Sequence, residues 1–341
     1  MKKWIYFIAI KHADLEFEFQ SIYECIKAEE KHGREKEIFW ISGILLSIVG
    51  CFGLLGNTAT IIVLGQPTMR QNVFNNLLFS LACFDIVFII SYGTVFSYKS
   101  VACYPLNPLI ENVGFPFIKV GFLGSLYMTV AISLERYLGI CHSTFIWRRN
   151  AWIYIVPVML ISVGFTVPIF IESSYFFIHG SLSMTAKGIW SNHSTENDWD
   201  FWFAVFLNTI IPMTSILLLN GWIIKVIINT PKPERMSTES LRKWRATRIL
   251  LWIVLLFFIT STPRLVFRAL IYHGPKDKGS WYWFRPLVRL ALVCNSSGNF
   301  VIYCMTGSNF RNQFLKVFCP KSRRMDLMSA HLGLREQQEN G

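Results

Sequence analysis

The 341-residue chain is 52% apolar and only 16% charged, against roughly a quarter charged residues in soluble domains, which excludes an ordinary soluble globular protein and points to a membrane protein. Its formal charge of +12 would suit nucleic acid, but the basic residues fall in short segments between apolar runs, the pattern of cytoplasmic loops, so no nucleic-acid partner is expected. The eight cysteines form no C-x-x-C pair and no alternation with histidine, which indicates neither a zinc site nor a redox motif.

Residues 1–37 open on two lysines followed by WIYFIAI, at the lower edge of a signal-peptide core and without a clear small-residue cleavage site. The mixed, acidic stretch 14–37 reads as a soluble extracellular leader, and it holds no asparagine that could carry an N-glycan. Cys25 and Cys103 are the two cysteines expected outside the cell, where pairing between them stays open. Cys51, Cys83, Cys294 and Cys304 sit inside apolar runs, where a small buried thiol is the default.

Seven apolar segments follow, at 38–64, 72–98, 109–141, 151–171, 200–228, 243–272 and 281–305, each near the roughly 20 residues a helix needs to cross hydrocarbon. Gly65-Gln66-Pro67, Pro105 with Pro108, Arg148-Arg149-Asn150, Pro231 with Pro233, and His273-Gly274-Pro275 punctuate them. The third segment ends in an unbroken acid–base–aromatic triplet, Glu135-Arg136-Tyr137. An ion pair is costly in hydrocarbon, so it belongs at the water boundary or buried among helices. Lys119 lies about 25 Å back along the same helix at 1.5 Å per residue, with Ser125 between them.

Loop charge gives the orientation. The segments after spans one, three and five hold Arg70, Arg148 with Arg149, and the cluster Lys232, Arg235, Arg242, Lys243, Arg245 and Arg248, whereas the segment after span four is acidic. This places the amino terminus outside and the tail in the cytoplasm. The sequon at Asn192 then lies outside and is expected to be glycosylated, while the one at Asn295 falls within the last span and is silent. Beyond span seven, Ser308 is expected to cap a short run in which Phe310, Phe314 and Phe318 recur at i, i+4 and i+8. That is an amphipathic helix on the inner membrane surface, with Cys319 placed for palmitoylation.

Polar residues inside spans are functional candidates by default. Asn57, Asp85, Ser125, Asn295, Ser296 and Asn299 all count to mid-depth. Their oxygens suit a hydrated sodium ion, a shared proton, or a closed hydrogen-bond network. Nearer the outer ends lie Lys119, Arg264 with Arg268, and Arg285 with Arg289, each arginine pair spaced i, i+4 on one helix face. Snorkelling to headgroups suits Arg285. Arg264 follows Pro263 and sits deeper, so a basic cavity for an acidic group is expected there. There is no H-E-x-x-H, no glycine-rich phosphate loop, no pair of membrane aspartates and no G-x-S-x-G, so the chain is not expected to be an enzyme.

In these residues the chain resembles the rhodopsin-like G-protein-coupled receptors. The matches are Gly56-Asn57, the L-A-C-F-D run ending at Asp85, Glu135-Arg136-Tyr137, Pro212, Pro263, and Asn299 with Tyr303. More narrowly, NSSGNFVIYC from Asn295, LERYLGIC, PIFIE from Pro168, and the IP…LLLN pattern ending at Asn220 are similar to FMRFamide-type neuropeptide receptors of invertebrates. The resemblance implies an all-α membrane protein, a seven-transmembrane helix bundle with a short amphipathic eighth helix. It implies that Arg136 is held by Glu135 at rest, then meets the Gα carboxyl terminus as span six swings outward, with Asn220 and Tyr303 receiving it. It implies that Asp85, Ser125, Asn295, Ser296 and Asn299 hold sodium, an allosteric ion where no other cofactor is required, and that Lys119, Arg264, Arg268 and Arg289 line the ligand cavity.

The chain also departs from the pattern. Glu111 stands at the spacing of the usual span-three cysteine and the second outer loop has no cysteine, Leu160 stands near the usual span-four tryptophan, Ser261 replaces the span-six switch tryptophan, and Phe300 follows Asn299. Lys243 stands where an acidic partner for Arg136 would be sought, so no ionic lock to span six is expected. The expected whole is an extracellular leader at 1–37, a receptor domain at 38–305 and a cytoplasmic tail at 306–341. It would be a plasma-membrane receptor for an extracellular neuropeptide, with a heterotrimeric G protein, arrestin, a receptor kinase and membrane lipids as partners. The rival expectations are a receptor for an acidic small molecule or lipid, and a transporter.

Overall fold

The computed structural model of the chain describes residues 39–97, 108–141, 150–171, 205–229, 238–273 and 284–319. Among these residues no strand occurs. A π-helical turn, Phe39–Leu45, leads into α1 (Leu46–Leu64), and a single turn, Pro67–Arg70, leads to α2 (Val73–Tyr92). The start of α2 is fixed by Asn72, whose side chain accepts the backbone N–H of Phe74, the usual way an N-cap satisfies an orphan donor. The remaining helices are α3 (Pro108–Cys141), α4 (Trp152–Gly164), α5 (Ile211–Ile228), α6 (Thr238–His273), α7 (Phe284–Thr306) and α8 (Ser308–Phe318).

Six of these stretches are individually long and apolar enough to cross a membrane: Trp40–Leu64, Val73–Phe96, Val113–Cys141, Phe206–Ile228, Trp244–Phe267 and Phe284–Thr306. The expected fourth span at 151–171 is interrupted, because α4 stops at Gly164 and helix resumes only at 167–171. Pro168 explains the break: it has no N–H for the Gly164 carbonyl and its ring crowds that carbonyl. The hydroxyls of Ser162 and Thr166 donate back to the carbonyls of Val158 and Ser162, tightening the same turn. A comparable effect precedes α5. Pro212 releases the Asn208 carbonyl, and the backbone widens into a π-helical turn at Phe206–Ile210. The Tyr127 hydroxyl donates to the Leu207 carbonyl in that turn at 2.9 Å.

α3 is the central post, lying against α2, α4, α5 and α6, while α1 closes the ring by packing on α2 and α7. Small residues set the closest approaches, as is usual where helices pack without water to drive them together. A Cβ at Gly121 would stand 2.5 Å from the Phe88 backbone nitrogen, so α2 and α3 touch backbone to backbone there. Inside the ring, Leu77, Leu81, Met128, Ile132, Ile216, Ile223, Leu250 and Tyr303 are fully buried. The outer circumference is just as apolar: Ile48, Leu55, Leu160, Leu218 and Ile259 are all more than half exposed. Such a surface is an aggregation liability in water and the natural one in lipid.

Expectation and structure differ at α8. Gly307, not Ser308, occupies the N-cap, and no side chain caps the helix. Ser308 is simply its first residue. The apolar stripe is as anticipated, with Phe310 buried against Tyr303 at 5.6 Å between ring centroids and Phe314 against Phe300 at 5.7 Å. Arg311 and Lys316 face outward.

Candidate functional site

α3 carries polar groups at three levels, and those at the first two meet partners from other helices. At one end, Glu135 and Arg136 are buried to 2% and 7% exposure. The Nε and Nη2 of Arg136 donate to the two carboxylate oxygens of Glu135, a bidentate pair that fixes the guanidinium plane. The same guanidinium lies 4.6 Å from the centroid of the Phe74 ring on α2, a cation–π contact. One turn back, Asn220 of α5 donates to Ser133 Oγ at 3.0 Å, and Ser133 in turn donates to the Thr129 carbonyl. Tyr137 is half-buried beside this set. The Tyr303 hydroxyl of α7 is buried with no hydrogen-bond partner, at the wall of a cavity of about 420 Å³ lined also by Asn72, Asn75, Arg245, Thr306 and Phe310. Beside it, exposed Arg248 of α6 donates to the carbonyl of Thr306, the last residue of α7, at 3.2 Å.

At mid-depth, Asp85 of α2 is completely buried. Ser125 Oγ donates to its Oδ1 at 2.6 Å and Asn299 Nδ2 to its Oδ2 at 2.8 Å, with the Ser296 hydroxyl also in reach of the carboxylate. Asn57 crosses from α1 to donate to the Ser296 carbonyl at 2.9 Å, and its Oδ1 is a buried acceptor without a partner. Asn295 is turned the other way: its Oδ1 accepts from Thr260 of α6 at 3.1 Å. Four of the five expected ion-site residues therefore meet at one carboxylate, and the fifth ties α7 to α6. The donor set is a single carboxylate with hydroxyl and amide oxygens, which fits a hard, weakly charged cation. Among the described residues no three His, Cys, Asp or Glu side chains come together.

At the far end, Arg264 of α6 lies 4.3 Å from the centroid of Phe122, and Arg289 of α7 lies 4.5 Å from that of Phe96. Those rings end a continuous aromatic ladder, with Phe122 to Phe88 at 6.2 Å, Phe88 to Tyr92 at 5.0 Å and Tyr92 to Phe96 at 4.5 Å. Tyr92, between Phe88 and Phe96 in that ladder, is itself buried. Lys119 is half-buried on α3, and Arg268 lies one turn beyond Arg264. Pro263 sits within α6 immediately before Arg264, where it leaves the Ile259 carbonyl without its helical donor.

Cys319 is exposed at the end of α8 as a free thiol, whereas Asn192, Cys25 and Cys103 lie outside the described residues. Three features were not anticipated from sequence: Phe74 under Arg136, Ser133 under Asn220, and Arg248 on the end of α7. Only the last carries a sequence signal, a cation available to helix-end carbonyls.

The model of the 7 transmembrane receptor (rhodopsin family) matches residues 56–303. The chain is 27% identical over 304 residues to the FMRFamide receptor of Drosophila melanogaster, covering 82% of this chain but only 54% of that protein. It is 25% identical over 299 residues to the B1 bradykinin receptor of Homo sapiens, covering 82% and 83% of the two chains. To the C-C chemokine receptor type 1 of Homo sapiens it is 22% identical over 290 residues, covering 80% and 78%. In fold it is similar to squid rhodopsin, with a TM-score of 0.64 at 20% identity, over 83% of this chain and 86% of that one. Matched from Gly56 on α1 to Tyr303 near the foot of α7, the chain belongs to the rhodopsin family of seven-transmembrane receptors: it is a multi-pass G-protein-coupled receptor and not an enzyme.

Proposed function

We propose that the chain is a plasma-membrane receptor for an extracellular neuropeptide, FMRFamide-like or related, with its amino terminus outside and its tail in the cytoplasm. The observation that carries this is the division of labour along α3. A caged ion pair sits at one end, and at the other Arg264 of α6 and Arg289 of α7 lie on the rings of Phe122 and Phe96. The ligand enters at Lys119, Arg264, Arg268 and Arg289 and binds the open-cleft form better than the closed one, since only differential affinity shifts the equilibrium. α6 then swings outward about Pro263. Arg136 leaves Glu135 and meets the Gα carboxyl terminus, with Asn220 and Tyr303 as its new neighbours and Tyr137 flanking it. The unpartnered Tyr303 hydroxyl supports that role, because it is available to a new neighbour in a rearranged state. Asp85, Ser125, Ser296 and Asn299 hold a sodium ion that favours the closed form, and Asn295 contributes by bracing α7 on α6. Asn192 carries a glycan, Cys319 a palmitoyl chain, and the active tail recruits a receptor kinase and arrestin.

Screening neuropeptides on cells expressing the chain, with calcium and cAMP read together, tests this. A response that disappears in Arg136→Ala at unchanged surface density is expected. A full response in that variant would remove the coupling role of the triplet. The arginines of α6 and α7 also favour a second ligand class, an acidic small molecule or lipid, and a screen silent to peptides but responsive to such compounds would select it.

A further inference from the structure

We infer that Phe74 is a positioning residue that holds Arg136 at rest, through a cation–π contact that does the work an acid on α6 would otherwise do. This rests on the proposed coupling role of Arg136 and names what restrains it. The Arg136 guanidinium donates two hydrogen bonds to Glu135 and lies over the Phe74 ring, 4.6 Å from its centroid. The two contacts restrain different things. Glu135 is the preceding residue of α3 and travels with Arg136, so their pair sets the plane of the guanidinium but ties it to no other helix. Phe74 belongs to α2, and its ring anchors the side chain across a helix boundary. On α6, Lys243 stands where an acidic partner would be sought, and a lysine offers an arginine no counter-charge.

The ring is itself held. Phe74 is 2% exposed and Arg136 7%, and a cation–π attraction is strongest where water is kept away. The Asn72 side chain accepts the Phe74 N–H at 3.2 Å, which fixes the backbone that carries the ring. Phe74 also borders the cavity that Tyr303 lines, and Tyr303 is a neighbour that Arg136 is proposed to gain. The same ring therefore adjoins both the resting guanidinium and the space beside Tyr303. Phe74 is part of the apolar core as well, and the two roles separate on one chemical difference. Fluorine on the ring edge drains negative charge from the ring face and weakens its hold on a cation. It leaves the ring's shape nearly unchanged and makes it no less apolar, so a ring that only packs would lose nothing.

Phenylalanine bearing one, two or three ring fluorines, placed at position 74 of the full chain by nonsense suppression, tests this. Ligand-independent signalling, with calcium and cAMP read together at matched surface density, is expected to climb stepwise with fluorine number. The rise at three fluorines is expected to be about tenfold, the scale of a cation–π contact shielded from water. The melting temperature of the purified chain in detergent is expected to fall in the same order. That fall should vanish in a chain carrying both Glu135→Gln and Arg136→Gln, where the ring has no cation to hold. Signalling that stays flat across the series would overturn the inference, whether or not the melting temperature falls, because the ring would then hold the fold and not the state of Arg136. A fall in melting temperature just as steep in the doubly substituted chain would overturn it too. In either case a neuropeptide response in the native chain would leave the receptor standing. Signalling absent from every form, with the native chain at the surface also silent to neuropeptides and acidic compounds, would remove the coupling role and the inference together.

Discussion

Asp85 accepts one hydrogen bond on each carboxylate oxygen, from Ser125 on α3 and Asn299 on α7, and so joins three helices through a single side chain. Both oxygens keep lone pairs, and the Ser125 and Ser296 hydroxyls can turn their own oxygens toward a cation. Replacing Asp85 by Asn preserves the shape and an acceptor for Ser125 but removes the charge that makes the site attractive to an ion. Agonist affinity in the native receptor is expected to fall as sodium rises and to become indifferent to sodium in Asp85→Asn, read by displacement binding in sodium and in choline buffers. A native receptor already indifferent to sodium would take the ion out of the account. This site was largely legible in the sequence because depth along a span follows from counting, and polar residues in oil are few enough to be gathered by depth alone. What counting could not give is azimuth. Asn295 shares the level of Ser296, yet it faces Thr260 on α6; a 100° step around the helix separates the two neighbours. Phe74 beneath Arg136 was hidden for the same reason, since nothing along one chain segment says which ring on another will lie under its guanidinium.

At the scale of elements, α6 and α7 are joined at the Arg136 end by Arg248, whose Nη2 donates to the Thr306 carbonyl. A helix's last carbonyls have no internal donors and form the negative end of its dipole, so a cation from the neighbouring helix suits them. Lys243 stands where an acidic lock to Arg136 would be sought, and Arg248 supplies a different clasp, between α6, which we propose swings outward, and α7. The bond is solvent-exposed, so its worth is small, roughly 0.5–1 kcal/mol, or about a two- to fivefold change in the closed-to-open ratio. Arg248→Gln is expected to raise ligand-independent signalling by that factor without changing surface density, and Arg248→Lys should keep most of the restraint. Basal activity unchanged in Arg248→Gln would show that the clasp does not hold α6. The elements were read from sequence with uneven success, and the reasons are local. α8 was legible because three phenylalanines at i, i+4 and i+8 specify one helical stripe, although its N-cap proved to be Gly307. α4 was read as continuous because hydropathy averages over Pro168, which removes one hydrogen bond and so divides the helix without altering its apolar character.

The interrupted α4 decides the topology of the whole molecule, because the number of crossings sets which faces the two termini occupy. Six helices cross on their own length. If residues 152–171 failed to cross, the crossings would be even in number, both termini would share a face, and the basic cluster from Lys232 to Arg248 would lie opposite Arg70, Arg148 and Arg149. Counted through the turn at Phe165 and Thr166, those residues reach about 30 Å at 1.5 Å each, the thickness of the hydrocarbon. Hydroxyls at Ser162 and Thr166 satisfy local carbonyls within the break, which is how an irregular turn is accommodated where water is absent. With α4 crossing, Arg70, Arg148 with Arg149, and the cluster from Lys232 to Arg248 fall on one face, as cytoplasmic loops require. An epitope at the amino terminus is therefore expected to stain on intact cells, and one at the carboxyl terminus only after permeabilisation. Both staining together on intact cells, or both only after permeabilisation, would mean that α4 does not cross. The α5–α6 connection and α8 could not then share a face with Arg136, and a single cytoplasmic protein could not engage all three.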